Sequence, residues 1–137
     1  VIGEMDAIAP ETVKRIVICG GKVYYDLLEK RRELALEGVA ILRVEQLYPF
    51  PDRMLVDALK PYGSAAEVVW CQEEPMNQGA WYNTRHNLER VMRPWKPELT
   101  IRYTGRPSSA APACGSVYLH AKEQAALVAD ALGVKTA

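Results

Sequence analysis

Short, unbroken apolar runs alternate along this chain with longer segments in which apolar residues recur every three or four positions. A run without polar alternation is typical of a strand that is covered on both faces, as the strands of a parallel sheet are. Spacing of three and four predicts a helix with one buried face. The predicted strands are 15–19, 39–45, 67–72 and 99–104, and the predicted helices are 22–36, 52–60, 80–92 and 118–132.

Strands and helices that alternate in this order predict a mainly parallel sheet with helices on both faces, a three-layer α/β/α domain. The last strand differs, because Ile101 and Tyr103 alternate with polar residues, and one wet face places it near a sheet edge. A length of 137 residues is that of one typical domain, so we predict a single domain over 1–137. Since the chain begins with Val1 rather than Met, we expect it to be a fragment of a longer chain.

Turn and cap residues refine the predicted helix ends. Gly38 and Gly133 each lie where a glycine commonly ends a helix. Asn77 is the predicted N-cap of the third helix. The residues expected to face the core are Tyr24, Leu27, Leu28, Arg31 and Leu34 or Ala35 in the first helix, Met54, Leu55, Ala58 and Leu59 in the second, Tyr82, Leu88, Val91 and Met92 in the third, and Ala121, Ala125, Val128 and Leu132 in the last.

The segment 70–81 carries two carboxylates, two tryptophans and several side-chain amides directly after an apolar run. It has the pattern of a buried strand leading into a helix at the carboxyl edge of a sheet, where α/β folds usually keep their functional loops. Adjacent acids in an extended loop point opposite ways, which argues against an acid–base pair and for a contact surface. Trp70 is expected in the core. The predicted docking residues are Glu73, Glu74, Asn77, Gln78 and Trp81.

A second candidate is an anion site. Gly20–Gly21–Lys22 lies between a strand and a helix, where backbone amides bind anions, but it matches neither G-x-G-x-x-G nor Walker A. The alternative is a plain tight turn. Near the end of the fourth strand, two arginines with nearby hydroxyl groups suit a phosphate, and ion pairing is the alternative. The candidate regulatory anion residues are Lys22, Arg102, Arg106 and Ser108.

The composition of the chain argues against several classes of function. Seventeen basic residues balance seventeen acidic ones, so no electrostatic footprint for nucleic acid or an anionic membrane is expected. No apolar run approaches the roughly 18 residues of a membrane span. The three cysteines and two histidines show no metal-ligand spacing, and buried free thiols are expected. His120 is expected to be a capping or surface residue, and no metal site or catalytic residue is predicted.

Four stretches, 19–27, 43–51, 70–81 and 105–113, resemble the C-terminal region of the first component of 2-oxoglutarate dehydrogenase, most closely in its bacterial form. This component is the thiamine-diphosphate-dependent decarboxylase subunit of the complex. One departure is Gly20, where a serine is common, and we expect it to alter the turn without changing the fold. The resemblance implies a transketolase C-terminal-like domain whose sheet is mostly parallel with one antiparallel edge strand, which we place near residues 1–5.

The resemblance also implies a reaction and its cofactors. Enzymes of this kind decarboxylate 2-oxoglutarate on thiamine diphosphate with magnesium, and then transfer the succinyl group to a lipoyl group in the tricarboxylic acid cycle. In that family the cofactor lies between the two preceding domains, across the dimer interface. The resemblance therefore implies thiamine diphosphate and magnesium in the full enzyme but no cofactor-binding or catalytic residue on this segment.

The partners implied by the resemblance are the preceding domains of the same enzyme, a homodimer partner and the lipoyl-bearing second component. The implied location is the cytoplasm of a bacterium, or the mitochondrial matrix of a eukaryote. Some members bind AMP or acetyl-CoA as regulators, and Arg102 with Arg106 is the weak candidate for such a site. The alternative function is a stand-alone nucleotide- or anion-binding α/β regulatory module.

Overall fold

The computed structural model describes residues 1–110 and 116–135. Its strands form one parallel sheet in the order β2–β1–β3–β4, with helices on both faces, so the predicted three-layer α/β/α fold is confirmed. The edge position predicted for the fourth strand is also confirmed. The elements are a 3-10 turn (Pro10–Thr12), β1 (Arg15–Cys19), α1 (Val23–Glu33), β2 (Val39–Arg43), α2 (Asp52–Leu59), β3 (Glu67–Cys71), α3 (Trp81–Met92), β4 (Ile101–Thr104) and α4 (Val117–Leu132).

Each strand contributes to two cores, because successive side chains point to opposite faces of the sheet. Helices α2 and α3 cover one face, which includes Ile16, Ile18 and Trp70, and α1 and α4 cover the other, which includes Val17 and Val69. Every fully buried side-chain nitrogen or oxygen in the described residues has a hydrogen-bond partner. We therefore expect the chain to fold on its own. No helix in the described ranges is long and apolar enough to cross a membrane.

Each of the four predicted helix faces is partly wrong. Leu34 and Ala35, at the end of α1, and Tyr82, in α3, are exposed. In α2, Leu55 and Leu59 are buried but Met54 is 56% exposed. In α4, Ala121 and Ala125 are exposed, because polar contacts rather than apolar packing hold the first half of the helix. The buried residues of α4 all lie in its second half and are Leu127, Val128, Ala129, Ala131 and Leu132.

The N-terminal segment makes one antiparallel bridge to the sheet rather than the expected edge strand. Ile2 and Arg43 exchange two backbone hydrogen bonds of 2.8 and 2.9 Å. The pairing then stops at Ile41. Its backbone amide donates a hydrogen bond of 2.8 Å to the side chain of Glu4 instead of to a backbone carbonyl. The sheet is thus parallel in all four strands, and its antiparallel part is this single bridge among the described residues.

Helix α1 ends earlier than predicted, and Gly38 is not its cap. Ala35 adopts the left-handed conformation with φ of 51°. The amide of Leu36 donates to the carbonyl of Arg31, and the amide of Ala35 donates to the carbonyl of Arg32, both at 3.1 Å. These two bonds form a Schellman motif closed by an alanine instead of a glycine. At the end of α4 the prediction is confirmed, because Gly133 is left-handed with φ of 76°.

A buried ion cluster fastens the N-terminal segment to α1. Arg31 is 2% exposed, donates two hydrogen bonds of 2.6 Å to Glu4 and one of 2.9 Å to Asp6, and also reaches the carbonyl of Val39 at 3.1 Å. Hydrogen bonding from Arg32 lowers the pKa of Asp6 to about 2. Burial alone would raise the pKa of Glu4, but hydrogen bonds from Arg31 and a backbone amide outweigh it and leave that pKa lowered.

The stabilisation from Glu4 should depend on pH. Because its pKa is lower in the folded chain than the ordinary 4.5, its contribution is complete above that value and is lost as the pH falls through the folded pKa. Near neutral pH, Glu4→Gln should lower the free energy of unfolding by about 3 kcal/mol, because Arg31 keeps its burial but loses one carboxylate. Urea unfolding followed by circular dichroism measures this difference.

The difference between the wild type and Glu4→Gln should shrink steadily as the pH falls below 4.5, because the wild-type carboxyl group then also becomes neutral. Glu11→Gln, at an exposed position, is the matched control and should change little at any pH. A difference for Glu4→Gln that stays constant down to about pH 3 would contradict the role assigned to its charge.

Candidate functional site

Strands β1 and β3 lie side by side at the centre of the sheet, and the strands that follow them along the chain lie on opposite sides. This arrangement is a topological switch point, and the crevice outside the carboxyl ends of the two strands is where α/β proteins bind ligands. The turn at Gly20–Gly21 follows β1, and the loop 72–80 follows β3. The loop singled out from the sequence therefore lies at the edge where functional loops are expected.

The side-chain amide of Gln72 closes this loop, a role that the sequence did not reveal. Gln72 is 3% exposed. Its Oε1 accepts hydrogen bonds from the indole of Trp70 at 2.9 Å and from the backbone amide of Trp81 at 3.1 Å. Its Nε2 donates to the carbonyls of Glu74, Pro75 and Gln78 at 3.1, 3.0 and 2.8 Å. One residue thus joins the end of β3, the loop and the start of α3.

Asn77 is not the N-cap of α3, so that prediction is wrong. The cap position is Ala80, which has no capping side chain, and the Gln72 amide satisfies the first helical N–H instead. Asn77 exchanges two hydrogen bonds of 2.9 Å with the backbone of Ser109, and Gln78 donates to the same carbonyl at 3.0 Å. These two predicted docking residues therefore connect the loop to the segment that follows β4.

Two glycines allow the chain to approach Gln72 closely. Gly79 is left-handed with φ of 66°, and a Cβ there would lie 3.0 Å from the Cβ of Glu74 and 3.2 Å from Nε2 of Gln72. A Cβ on Gly105 would lie 2.5 Å from the hydroxyl oxygen of Tyr103 and 2.8 Å from the carbonyl oxygen of Gln72. Burial raises the pKa of Tyr103 to about 12, so its hydroxyl remains a donor. Any larger side chain at either glycine would displace the loop.

Glu73 and Arg106 connect the loop to α4. The Glu73 carboxylate, 16% exposed, accepts hydrogen bonds from Gln124 at 2.7 Å and from Lys22 at 3.3 Å. Arg106, 10% exposed, donates to Glu123 at 2.9 Å, to Gln124 at 3.0 Å and to the backbone carbonyl of Glu73. The guanidinium is therefore used within the chain, and it holds the first half of α4 against the loop.

The four candidate anion residues do not share one open site. Arg102 lies 3.6 Å from Asp130, while Lys22 and Arg106 make the carboxylate contacts just described, and Ser108 is exposed. Each of these three cations therefore faces a carboxylate. For Arg102 and Arg106, ion pairing is the alternative that the sequence left open. His120 is exposed near Arg106, as expected for a surface residue, and the α4 cap is the hydroxyl of Ser116.

The five predicted docking residues differ in how much surface they offer. Trp81 is 5% exposed, and its ring packs against Tyr103 with centroids 5.5 Å apart, so it belongs to the core of this chain. Glu73 is directed toward α4. Glu74 and Asn77 are exposed and remain at the surface of the loop. Docking through this loop stays a prediction, and its exposed members are the ones that a partner could contact.

A cleft of about 870 Å³ opens at the same edge. Trp70 and Gln72 line it at the end of β3, and Glu74 lines it from the loop. The segment 47–50 forms one wall, and the first turns of α3, including Thr84, form another. Tyr48, at the mouth, is 93% exposed. The cleft therefore lies at the switch point and combines apolar and aromatic side chains with polar and charged ones.

The cysteines near this edge are not nucleophiles. Cys19 and Cys71 are opposite each other on β1 and β3, and both are fully buried. Burial raises the pKa of both thiols, that of Cys71 to about 12, so both are protonated at neutral pH. The expectation of buried free thiols is confirmed for these two residues. Cys114 lies outside the described residues.

Replacing Gln72 tests its role in the loop. Gln72→Glu keeps the size and the acceptor oxygens, but the carboxylate cannot donate to the three carbonyls and places a charge in a buried position. We expect the free energy of unfolding near neutral pH to fall by about 3 kcal/mol. The matched control is Gln46→Glu, since Gln46 is exposed and donates one hydrogen bond, to Pro49. Urea unfolding that shows equal stability for both variants would contradict the role of Gln72.

The chain matches known proteins over most of its length. Residues 1–132 match the family model described as "2-oxoglutarate dehydrogenase C-terminal". The chain is 52% identical over 134 residues to the 2-oxoglutarate dehydrogenase E1 component of Azotobacter vinelandii, and 55% identical over 133 residues to that of Haemophilus influenzae. These matches cover 98% and 96% of this chain but 14% of each relative.

A third relative, the oxoglutarate dehydrogenase of Buchnera aphidicola, is 40% identical over 134 residues. The chain thus spans about 14% of the length of the curated relatives it matches. The resemblance seen in the four sequence stretches is confirmed by the family match and by these relatives. The chain therefore belongs to the 2-oxoglutarate dehydrogenase C-terminal family.

Proposed function

We propose that this chain serves as the C-terminal domain of a 2-oxoglutarate dehydrogenase first component and that its role there is architectural. The observation that carries the proposal is the match over nearly the whole chain to relatives named as that component. The geometry supports it, because the polar groups of loop 72–80 are largely used in hydrogen bonds within the chain. A loop fixed in this way presents a preformed surface, which lowers the entropic cost of docking.

In this proposal the reaction takes place on other domains of the same enzyme. That enzyme would carry out oxidative decarboxylation of 2-oxoglutarate on thiamine diphosphate with magnesium, followed by succinyl transfer to the lipoyl group of the second component. Two observations support placing the cofactor on those other domains: the described residues include no group of three or more His, Cys, Asp or Glu side chains that could hold a metal ion, and Lys22 and Arg106 each face a carboxylate. We therefore assign no catalytic step to this chain.

The docking surface that we propose is the exposed part of the carboxyl edge. Tyr48 and Tyr82 are 93% and 56% exposed, and Glu74 and Asn77 are exposed in the loop 72–80. Aromatic side chains that lose this much exposure on contact are the usual anchors of protein interfaces. The partners would be the preceding domains and the second subunit of a homodimer within the multienzyme complex, in the bacterial cytoplasm.

A stand-alone regulatory module that binds a nucleotide or another anion is the less favoured alternative. Such a site needs cations whose charge is not already compensated. Lys22, Arg102 and Arg106 all have carboxylate neighbours within 4 Å, so the geometry offers no ready anion site among the candidate residues.

A chimera tests the architectural role. In the Azotobacter vinelandii relative, the matching C-terminal segment is replaced by this chain, and decarboxylation of 2-oxoglutarate is measured with thiamine diphosphate and magnesium. We expect the chimera to be active and dimeric, the truncated relative to lose both properties, and the isolated chain to be inactive. A truncated relative that keeps full activity would contradict the proposal.

Two aromatic substitutions in the chimera separate docking from folding. Tyr48→Ala should weaken assembly by about tenfold while leaving the unfolding of the isolated chain unchanged, because its side chain lies at the surface. Trp81→Ala is the contrasting variant and should destabilise the isolated chain by about 3 kcal/mol or more, because its ring is buried. Assembly is measured by analytical ultracentrifugation, and stability by urea unfolding.

A further inference from the structure

The cleft at the carboxyl edge is lined by a threonine whose hydroxyl group makes no hydrogen bond within the described residues. Thr84 is 2% exposed and lines the cleft from the first turns of α3. Its side chain makes no hydrogen bond to any residue that the structure describes. Every fully enclosed side-chain nitrogen or oxygen in the described ranges has a hydrogen-bond partner, whereas the Thr84 oxygen has none. The Thr84 oxygen is therefore not fully enclosed, and it is accessible from the cleft that Thr84 lines. A hydroxyl oxygen that opens into a cleft and has no partner in the chain can accept a hydrogen bond from a ligand there.

A carboxylate without a cation lies at the rim of the same cleft. The side chain of Glu74 makes no ion pair or hydrogen bond within residues 1–110 and 116–135. The other two carboxylates of the lining are already paired, Glu45 with Arg43 at 3.1 Å and Asp52 with Arg90 at 2.9 Å. The net charge of the lining is therefore negative, and the unpaired charge is that of Glu74.

The wall contributed by the segment after β2 is apolar and aromatic, whereas α3 contributes the polar side chains Asn83, His86, Asn87 and Arg90. Trp70 lies at the base of the cleft, and Leu47, Tyr48 and Phe50 form the wall contributed by the segment after β2. Aromatic faces attract cations as well as apolar groups. A volume of about 870 Å³ is within the range of small-molecule sites, and the switch-point position is the usual place for one.

We propose that this cleft binds a small organic cation, an aromatic or aliphatic group that carries an amine, amidine or guanidine nitrogen. The apolar body packs against Phe50 and Trp70. The N–H groups donate to the Glu74 carboxylate and to the Thr84 hydroxyl oxygen. Anions of the same shape are rejected by Glu74. This site does not depend on the architectural role proposed above, and it would exist in the chain on its own.

The test is a pair of titrations of the 137-residue chain, followed by the NMR shifts of backbone amides. Benzamidine is the probe, and benzoate is the matched control, because it has the same ring with the opposite charge. We expect benzamidine to shift the amides of Gly21, Gly79 and Thr84 in a saturable manner and benzoate to leave them unchanged. Equal binding of benzoate, or benzamidine shifts confined to other surfaces, would overturn the proposal.

Three variants sharpen the result. Glu74→Gln, at an exposed position, should keep the fold and weaken benzamidine binding by about three- to fivefold. Thr84→Val keeps the shape and removes the hydroxyl group, and should weaken binding by about fivefold. Glu29→Gln, exposed on α1 and absent from the lining, should bind as the wild type does. Unchanged binding in Glu74→Gln would overturn the proposal even if Thr84→Val failed to fold.

The same titration on the active chimera identifies the source of the cation. If benzamidine still binds, a free organic cation is the ligand in the assembled enzyme. If binding is present in the isolated chain and lost in the chimera, a lysine or arginine side chain from the rest of the polypeptide supplies the same chemistry. A chimera that is inactive would count against the architectural role alone, because the titrations of the isolated chain are independent of it.

Discussion

The arrangement of the carboxyl edge depends on one side-chain amide, that of Gln72. A primary amide carries an acceptor and two donors, and at this position all of them are used: the oxygen bonds Trp70 and the start of α3, and the nitrogen bonds three loop carbonyls. No other side chain of this size provides both functions without a charge. The orientation of α3, the shape of the loop and the wall of the cleft all follow from this residue.

Arg106 makes a second connection, between the loop and α4. Its guanidinium joins the Glu73 carbonyl to two side chains of α4, so the first half of that helix is held although none of its residues is buried. Most of the polar groups that the sequence marked as candidates are used within the chain: Arg106 bonds α4, Asn77 bonds Ser109, Lys22 pairs with Glu73, and Arg102 lies beside Asp130. The Glu74 carboxylate has no partner among the described residues, and neither has the Thr84 hydroxyl, which the sequence did not single out; both residues line the cleft.

The fold was predictable because apolar runs and helical spacing are local signals that tertiary structure reinforces. The strands were placed within two residues, and the wet face of β4 correctly marked a sheet edge. Gln72 was missed because a single polar residue at the end of a strand has no periodicity; its position between Trp70 and a loop rich in proline, glycine and amides was the available signal. Asn77 was assigned as an N-cap because capping rules consider near neighbours, whereas Gln72 caps α3 from nine residues away. The alanines of α4 have the spacing of a buried face, but polar contacts hold the first half of that helix, and spacing does not predict them.

Native-state hydrogen exchange of the Trp81 backbone amide tests the central role of Gln72 most directly. This amide is the first of α3, and initial helical amides without a partner exchange rapidly. Because it donates to the buried oxygen of Gln72, we predict that it exchanges as slowly as the amides in β3, and that it exchanges rapidly in Gln72→Leu. Rapid exchange of the Trp81 amide in the wild type, while the β3 amides remain protected, would contradict the central role of Gln72.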